Sequence, residues 1–319
     1  MPEGATRFDP ILRRPMLAAV LGASAIAFSA VFVRLSGASP ATAAVFRCGY
    51  AVPFLLLLAR LEDRRYGRRP RRARRLALAA GVFFAADLVS WHYAIGAVGA
   101  GLATVLANLQ VVVVALVAWA ALGERPDAGL AIAIPVALLG LVLISGVLEE
   151  GAYGEDPALG VAAGMITALS YSGFLLLLRE GGSDLRRPAG PLADATLVAT
   201  AASALAGWAS HDLDLVPSWP AHGWLLALAL GSQVVGWLLI SISLPRLPAA
   251  VTSVLLLVQP IVAVTAGVAI LGERPSPIQL LGVALILSGV LVAARGRGRA
   301  SARAAPGARA RRTRAGSMV

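Results

Sequence analysis

Apolar residues in this chain form long uninterrupted runs rather than the short alternating patterns of a soluble protein. A helix that crosses the roughly 30 Å hydrocarbon core of a bilayer needs about 20 predominantly apolar residues. Ten segments meet this requirement, and each is predicted to be a transmembrane helix: approximately 16–35, 41–59, 76–97, 101–121, 128–147, 158–178, 192–210, 222–243, 249–271 and 277–294. In lipid only helices and closed barrels satisfy every backbone polar group, and these runs lack the alternation of a barrel. The sequence therefore predicts an all-α polytopic membrane protein.

Composition agrees with this prediction, and the distribution of charge orients the chain. Of the 319 residues, 58% are hydrophobic and only 14% are charged, which excludes a disordered chain and argues against a soluble enzyme. All 28 basic residues are arginine, and the formal net charge is +11. If the N-terminus is cytoplasmic, 25 of the 28 arginines lie on the cytoplasmic side, with dense clusters at 60–75 and 295–314. This bias is the positive-inside signal of membrane proteins.

The arginines therefore predict a multi-pass protein of the bacterial plasma (inner) membrane with both termini in the cytoplasm. The positive charge is then a topology signal that also attracts anionic lipid headgroups, rather than a nucleic-acid-binding surface. Membrane lipids are expected partners, and nucleic acid is not. A homodimer remains an open expectation.

The pentapeptide LGERP occurs twice, at 122–126 and at 271–275, and marks an internal repeat. The two copies are 149 residues apart. The same offset aligns further identical residues: Val105 with Val254, Leu106 with Leu255, Gln110 with Gln259, Val113 with Val262 and Gly140 with Gly289. Each copy contains five predicted helices, and because five is odd, the second copy enters the membrane in the opposite direction. Inverted repeats are typical of secondary transporters that work by alternating access.

The repeat divides the chain into five parts. A cytoplasmic N-terminus (1–15) precedes the first five-helix repeat (16–147), and an outer loop (148–157) joins it to the second repeat (158–295). Residues 296–319 form a basic tail rich in Gly, Ala and Arg that is predicted to be disordered. The Glu–Arg pair inside each LGERP is expected to form a polar hairpin turn that caps helices.

Each half contains a helix, LGERP and a final glycine-bearing apolar helix, and in this the chain resembles the EamA-domain family of the drug/metabolite transporter superfamily. Supporting stretches are SAVFVRLSGASPATAAVFRCGYA at 29–51, WHYAIGAVGAGLATVLANLQ at 91–110, SYSGFLLLLRE at 170–180 and LPAAVTSVLLLVQPIVAVTAGVAILGERP at 247–275. The resemblance covers about residues 12–295. It implies ten helices, a central cavity between the halves, and export or exchange of small metabolites. Pro260 matches a proline that is frequent in the ninth helix of the family, but the first half has Val111 at the equivalent position.

Polar side chains inside the predicted helices are the candidate site, because Asp or Arg at a helix centre costs roughly 2.5–3.5 kcal/mol on insertion scales. Asp87 lies near the middle of the third segment, and Arg47 lies at a similar depth in the second. Two interpretations remain open. One is a structural Asp87–Arg47 ion pair that fixes helix packing, and the other is a substrate or proton site at Asp87.

Other intramembrane polar and aromatic residues extend this candidate site. Gln110 and Gln259 are repeat mates, so a pseudo-twofold axis would bring them to opposite sides of one cavity. Each such side chain also has a purely structural interpretation, as an interhelical hydrogen-bonding or packing residue. The set predicted for substrate binding or coupling is Asp87, Trp91, His92, Asn108, Gln110, Tyr171, Gln233 and Gln259.

The predicted function is secondary transport of a small organic metabolite or drug, such as an amino acid or amine, by alternating access, as export or exchange. The sequence contains no Walker A motif, no hydrolase or metalloprotease signature and a single cysteine, Cys48. We therefore expect no enzymatic activity, no catalytic residue, no metal and no cofactor. Two alternatives remain: a membrane-embedded enzyme acting on a lipid, and an uncoupled channel. The enzyme would need a cluster of acids, histidines or arginines at one interface, and the predicted outer loops show none.

Overall fold

The structure is a computed structural model that describes residues 14–113, 116–117, 128–146, 148–184, 186–243 and 258–292. Within this part of the chain every regular element is a helix. The helices, labelled in chain order, are α1 Pro15–Ser36, α2 Pro40–Tyr66, α3 Arg71–Val98, α4 Ala100–Val113, α5 Ala128–Ile144, α6 Pro157–Gly181, α7 Ala189–Ala209, α8 Trp219–Ser243, α9 Val258–Leu271 and α10 Pro277–Val292.

Each helix coincides with one of the ten predicted segments, but the helices differ in length. Six of them, α1, α2, α3, α6, α7 and α8, are long and apolar enough to cross a membrane. The other four are shorter apolar helices that border residues outside the described part. The all-helical architecture is thus confirmed for the described residues, and the number of ten spans stays a prediction. The first LGERP and the basic tail 296–319 lie outside the described residues.

Local sequence signals set several helix ends. α2 begins with Pro40 after Ser39, and α6 begins with Pro157 after Asp156, and in both cases the side chain before the proline caps the helix. Proline suits this position because the first helical amides have no partner within the helix. α3 ends at Val98, and the chain turns directly into α4 at Gly99, whose φ of 89° favours glycine.

Two helices depart from regular α-helical geometry. α1 turns at Phe28 and resumes at Ser29. α8 contains a π-helical stretch, Leu228–Gly236, between its two α-helical ends. Short π-helical stretches frequently occur at functional sites, so this part of α8 is a place to look for one.

The packed helix pairs are symmetric between the two halves of the chain: each pair has a counterpart formed by the equivalent helices. α3 packs against α6, and the counterpart pair, α8 against α1, is also formed. α2 packs against α7 and α4 against α9, so each of these pairs is its own counterpart. A pseudo-twofold relation between two five-helix halves requires this arrangement.

The crossing of α5 and α10 shows the pseudo-twofold relation at the level of single glycines. A Cβ at Gly140 would lie 2.7 Å from the carbonyl oxygen of Gly282, and a Cβ at Gly289 would lie 3.1 Å from that of Ala133. Gly140 and Gly289 are 149 residues apart, and so are Ala133 and Gly282. The two contacts are therefore equivalent under the repeat, and the offset of 149 residues relates the packing as well as the sequence of the two halves. Small residues allow this close approach of the two backbones.

The outer surface of the bundle is largely apolar. Each of the six long helices buries 44–56% of its most apolar 18-residue stretch inside the bundle, and the remaining residues are partly or fully exposed. Large side chains such as Leu57, Phe83, Ile132 and Leu205 are exposed there. Soluble monomers rarely expose apolar surface on this scale, whereas lipid covers it in a membrane protein.

Contacts between loops divide the bundle into two ends. At one end, which we call the α4 end, the segments 37–39, 148–156, 210–218 and 272–276 lie beside the starts of α2, α4 and α6. At the other, the α7 end, the segments 67–70 and 182–188 meet. Among the loops that the structure describes, those predicted to be outer lie at the α4 end and those predicted to be inner lie at the α7 end. Chain segments that cross a membrane alternately are sorted in this way.

Candidate binding cavity

A cavity of about 60 Å³ lies between the two halves of the bundle. Its wall contains residues of α1, α2, α3 and α4 from the first half, and of α6, α8 and α9 from the second. One buried water needs about 10–15 Å³, so the cavity has room for a few groups of that size. Both irregular helices contribute to the wall, α1 beside its turn and α8 directly after its π-helical stretch.

Asp87 of α3 supplies a carboxylate to this wall. The residue is only 7% exposed and lines the cavity. It makes no hydrogen bond, and no ion pair within 4.0 Å, with any residue that the structure describes. A buried ionised carboxylate without a hydrogen bond or a salt bridge is strongly disfavoured, so this side chain is stabilised by protonation or by a nearby cation.

Arg47 of α2 lines the same cavity but does not pair with Asp87. Its Nε donates to Oε1 of Gln233 at 3.1 Å, and Nε2 of Gln233 donates to Oγ1 of Thr196 at 3.1 Å. The guanidinium carbon lies 5.7 Å from the centre of the Trp91 ring, within cation–π range. These contacts hold the guanidinium, and no salt bridge within 4.0 Å joins it to Asp87, so the structural ion pair stays one of the two interpretations left open by the sequence. The cavity therefore presents one positive and one negative side chain separately.

Four aromatic side chains contribute to the wall: Phe84 and Trp91 from α3, Tyr171 from α6 and Trp237 from α8. Phe84 and Tyr171 each meet Trp237 edge-on, with ring centres 6.1 Å apart, an arrangement that fixes the rings. Nε1 of Trp237 is buried and has no acceptor among the described residues. Phe84 and Trp237 were missed in the sequence, although Phe84 lies three residues before Asp87 on one helix face.

α4 and α9 supply uncharged polar groups. Asn108 of α4 and Gln259 of α9 line the cavity. Thr104, which the sequence analysis missed, lines it one turn before Asn108, and its backbone carbonyl accepts from Nδ2 of Asn108 at 2.8 Å. Ser29 of α1 was also missed, and its hydroxyl donates to the carbonyl of Ile26. Hydroxyl side chains bonded to their own helix occur throughout membrane proteins, so no sequence signal singles out these two.

Three residues of the predicted set lie outside the cavity lining. His92 bonds through Nδ1 to the carbonyl of Pro40 at 2.9 Å, and the buried Gln233 holds the guanidinium described above. Gln110 lies against α6, where its backbone carbonyl accepts from the hydroxyl of Ser172 at 3.3 Å. The other five members meet in one wall: Asp87, Trp91, Asn108, Tyr171 and Gln259. Their role in substrate binding stays a prediction.

Comparison with known proteins identifies the family. The model of the EamA-like transporter family matches residues 13–146 and again residues 158–295, which are the two halves related by the repeat. The chain belongs to the EamA-like transporter family. The resemblance seen in the sequence is thereby confirmed, and a multi-pass membrane protein of the drug/metabolite transporter superfamily is the consequence. EamA-like proteins are transporters of small solutes rather than enzymes.

Solved structures support the shared fold. One crystal structure is 21% identical to this EamA-like chain, covers 89% of it and 96% of its own chain, and superposes with a TM-score of 0.56. No curated protein matches the chain. In the part of the EamA-like chain that the structure describes, no group of three His, Cys, Asp or Glu side chains is placed to hold a metal ion.

Carboxylates tie the two EamA-like repeats together at both ends of the bundle. At the α4 end, Oδ2 of Asp212 accepts from the amide of Ala41 at 3.1 Å, in the first turn of α2. At the α7 end, the carboxylate of Glu62 accepts from the amides of Ala189 and Gly190 at 2.9 and 2.8 Å, in the first turn of α7. Because α2 and α7 are counterparts, each repeat caps the second helix of the other. An anion at a helix N-terminus is stabilising.

The second LGERP makes a further cap between the repeats. Oε1 and Oε2 of Glu273 accept from the amides of Ala100 and Gly101 at 2.5 and 3.1 Å, at the start of α4. Glu273 is only 2% exposed. The hairpin turn expected from the sequence does cap a helix here, and that helix belongs to the other repeat. The first LGERP lies outside the described residues.

The α7 end also carries an exposed ion pair. Nε and Nη2 of Arg186 donate to the carboxylate of Asp184, each at 2.9 Å, and these bonds lower the pKa of that carboxyl to about 2. Nη1 of the neighbouring Arg187 donates to the carbonyl of Gly67 at 2.6 Å. The loop between α6 and α7 is thereby fastened to the end of α2.

Proposed function

We propose that the protein is a secondary transporter that moves a small organic solute with both a cationic and an anionic group, such as an amino acid, by alternating access. The observation that carries this proposal is the presence of two opposite charges, Asp87 and Arg47, that line one cavity without a salt bridge between them. Asp87 suits an ammonium group, and the terminal amino groups of Arg47 suit a carboxylate.

The rest of the wall supports the same class of solute. The rings of Phe84, Tyr171 and Trp237 offer apolar surface to a side chain of the solute. The amides of Asn108 and Gln259 offer hydrogen bonds that orient a polar group. A solute with two charges and an apolar part would use all three kinds of contact.

The relation between the halves supports alternating access. Two pseudo-equivalent five-helix halves that enclose a cavity can expose it first to one side of a membrane and then to the other. Ten spans are part of this proposal, and so is the orientation in the bacterial plasma (inner) membrane. We place the α7 end, with the arginines of 60–75, in the cytoplasm because of the positive-inside rule. Export or exchange is the proposed direction.

Counterflow in liposomes that contain the purified protein tests the proposal. Vesicles are loaded with candidate amino acids, amines and drugs, and entry of the radiolabelled solute is measured. At least one zwitterionic solute should exchange faster than in protein-free vesicles. Asp87→Asn should lower its initial rate at least about tenfold, since a hydrogen bond to a charged group contributes about 1.5–3 kcal/mol. Glu155→Gln, which removes a carboxylate from an exposed loop, should keep the parental rate.

Three results would contradict the proposal. If no solute moves faster than in protein-free vesicles, transport is not the activity. If unitary conductance appears in planar bilayers, the protein is a channel. If Asp87→Asn and Glu155→Gln exchange solute at equal rates, the cavity carboxylate takes no part in recognition.

A further inference from the structure

The carboxylate of Glu273 lies in a space that exists because three neighbouring residues are glycines. A Cβ at Gly267 of α9 would overlap Oε2, and a Cβ at Gly99 would lie 2.8 Å from Oε1. A Cβ at Gly101 of α4 would lie 3.3 Å from Oε2 and only 2.9 Å from the Cα of Val264. The carboxylate can therefore reach the start of α4 only where the backbones carry no side chains.

Hydrogen bonds connect this carboxylate to the wall of the cavity. Glu273 accepts from the amide of Ala100, and the carbonyl of Ala100 accepts from Oγ1 of Thr104 at 2.8 Å. The carbonyl of Thr104 in turn accepts from Nδ2 of Asn108 at 2.8 Å. Thr104 and Asn108 both line the cavity. Glu273 thus holds the start of the helix whose next two turns carry groups that face the cavity.

The repeat mate of Glu273 is Glu124, and the sequence around it lacks the three glycines. Subtraction of 149 from 267, and addition of 149 to 99 and 101, gives the equivalent positions. They hold Ala118, Pro248 and Ala250. These residues lie outside the described part of the chain, and the comparison concerns the sequence alone. Each of the three carries a Cβ, so the sequence around Glu124 lacks the glycines among which the Glu273 carboxylate lies.

We propose that Glu273 is a positioning residue of the transport cycle: it holds the α4 end of the cavity closed, and the difference between the two repeat sequences makes this hold stronger than that of its repeat mate Glu124 at the other end. The proposal rests on the alternating access proposed above. Because the two ends differ, the conformation closed at the α4 end is favoured when no solute is bound. Opening toward that end requires Glu273 to leave the start of α4.

Labelling of a cavity cysteine by a membrane-impermeant thiol reagent tests this proposal without any transported solute. The parent protein carries Cys48→Ala, which removes the buried native thiol, and Ala107→Cys, which places a thiol in the cavity wall. A separate Glu150→Cys protein tells which side of the vesicle exposes the α4 end. Glu273→Gln should raise labelling from that side at least about tenfold, because one hydrogen bond to a charged group shifts an equilibrium by this much. Glu124→Gln should leave labelling from the opposite side within about twofold of the parent.

A second variant opens the same contact without removing the charge. Gly267→Ala adds a Cβ that overlaps the Glu273 carboxylate, and it should raise labelling from the α4 end as Glu273→Gln does. Gly96→Ala is its control, because a Cβ there meets nothing within 4 Å. Parental labelling of folded Glu273→Gln overturns the proposal, and so does an equal effect of Glu124→Gln from the other side. If Glu273→Gln does not fold, parental labelling of Gly267→Ala overturns it. Failure of counterflow would count against transport, not against these labelling rates.

Discussion

Replacement of Gln233 by Leu should allow Arg47 to reach Asp87, because it removes the side chain that now binds the Arg47 guanidinium. Gln233 is fully buried, and its Oε1 accepts a hydrogen bond from Nε of Arg47 at 3.1 Å. Leucine has a similar size but accepts no hydrogen bond. The released guanidinium lines the same cavity as Asp87, so we expect the two side chains to form in the variant the ion pair that they do not form now. A solute would have to displace that pair before it could bind.

The size of the effect follows from the bonds involved. A hydrogen bond to a charged group contributes about 1.5–3 kcal/mol, and 1.4 kcal/mol corresponds to a factor of about ten, so Gln233→Leu should weaken solute binding about ten- to a hundredfold. Thr196→Val removes only the neutral bond from Gln233, worth about 1 kcal/mol, and leaves Arg47 in place. We therefore expect it to weaken binding by no more than about fivefold.

Titration calorimetry in detergent, with the solute identified by counterflow, measures both variants. The decisive comparison is the double variant Gln233→Leu with Asp87→Asn. With no carboxylate for Arg47 to pair with, Gln233→Leu should weaken binding by less than about threefold beyond Asp87→Asn alone. Parental affinity of Gln233→Leu, or the same loss in both backgrounds, would refute the reasoning.

Two further predictions concern packing and pH. Gly81→Ala should lower the free energy of unfolding by about 1–3 kcal/mol in detergent, because its Cβ would lie 2.5 Å from the carbonyl oxygen of Ala195 on α7. Gly96→Ala, whose Cβ meets open space, should not lower it, and equal losses would contradict the packing argument. Hydrogen bonds from Arg186 are the chief reason that the pKa of Asp184 is lowered to about 2. These bonds therefore stabilise the loop fully above the ordinary pKa near 3.8, and their contribution is lost as the pH falls through 2. Carbon-13 NMR of labelled aspartate should detect one carboxyl titrating near 2 that returns toward 3.8 in Arg186→Gln; a midpoint near 3.8 in the parent would disprove this assignment.

The sequence predicts the helices and one part of the cavity because both depend on strong local signals. Apolar runs of about 20 residues have few alternatives to membrane helices. Asp87 was found because a carboxylate in the middle of such a run needs a special environment. His92 was predicted for the same site, but it follows Asp87 by five residues, which at 100° per residue places the two side chains about 140° apart around the helix. Its ring therefore points away from the cavity and bonds to Pro40.

The remaining differences come from helix irregularities that have no clear sequence pattern. Gln110 and Gln259 are repeat mates, yet only Gln259 lines the cavity. The amides of Asn108 and Leu109 bond to carbonyls three residues back rather than four, so α4 tightens just before Gln110, whose backbone carbonyl accepts from Ser172 of α6. The π-helical stretch of α8 likewise places Gln233 beside Arg47, instead of in the cavity wall. Tertiary packing decides both details.

The exchange of helix caps between the repeats sets an order for biosynthesis. α7 is capped by Glu62, which is already in the membrane when α7 emerges from the ribosome. α2 and α4 are capped by Asp212 and Glu273, which are translated only after α2 and α4 have been inserted. Until the second half arrives, the first half therefore lacks the carboxylates that accept from Ala41 at the start of α2 and from Ala100 and Gly101 at the start of α4, whereas Ser39 caps α2 from within the first half. The first repeat produced alone would lack both carboxylates, and coexpression of the second repeat would supply them.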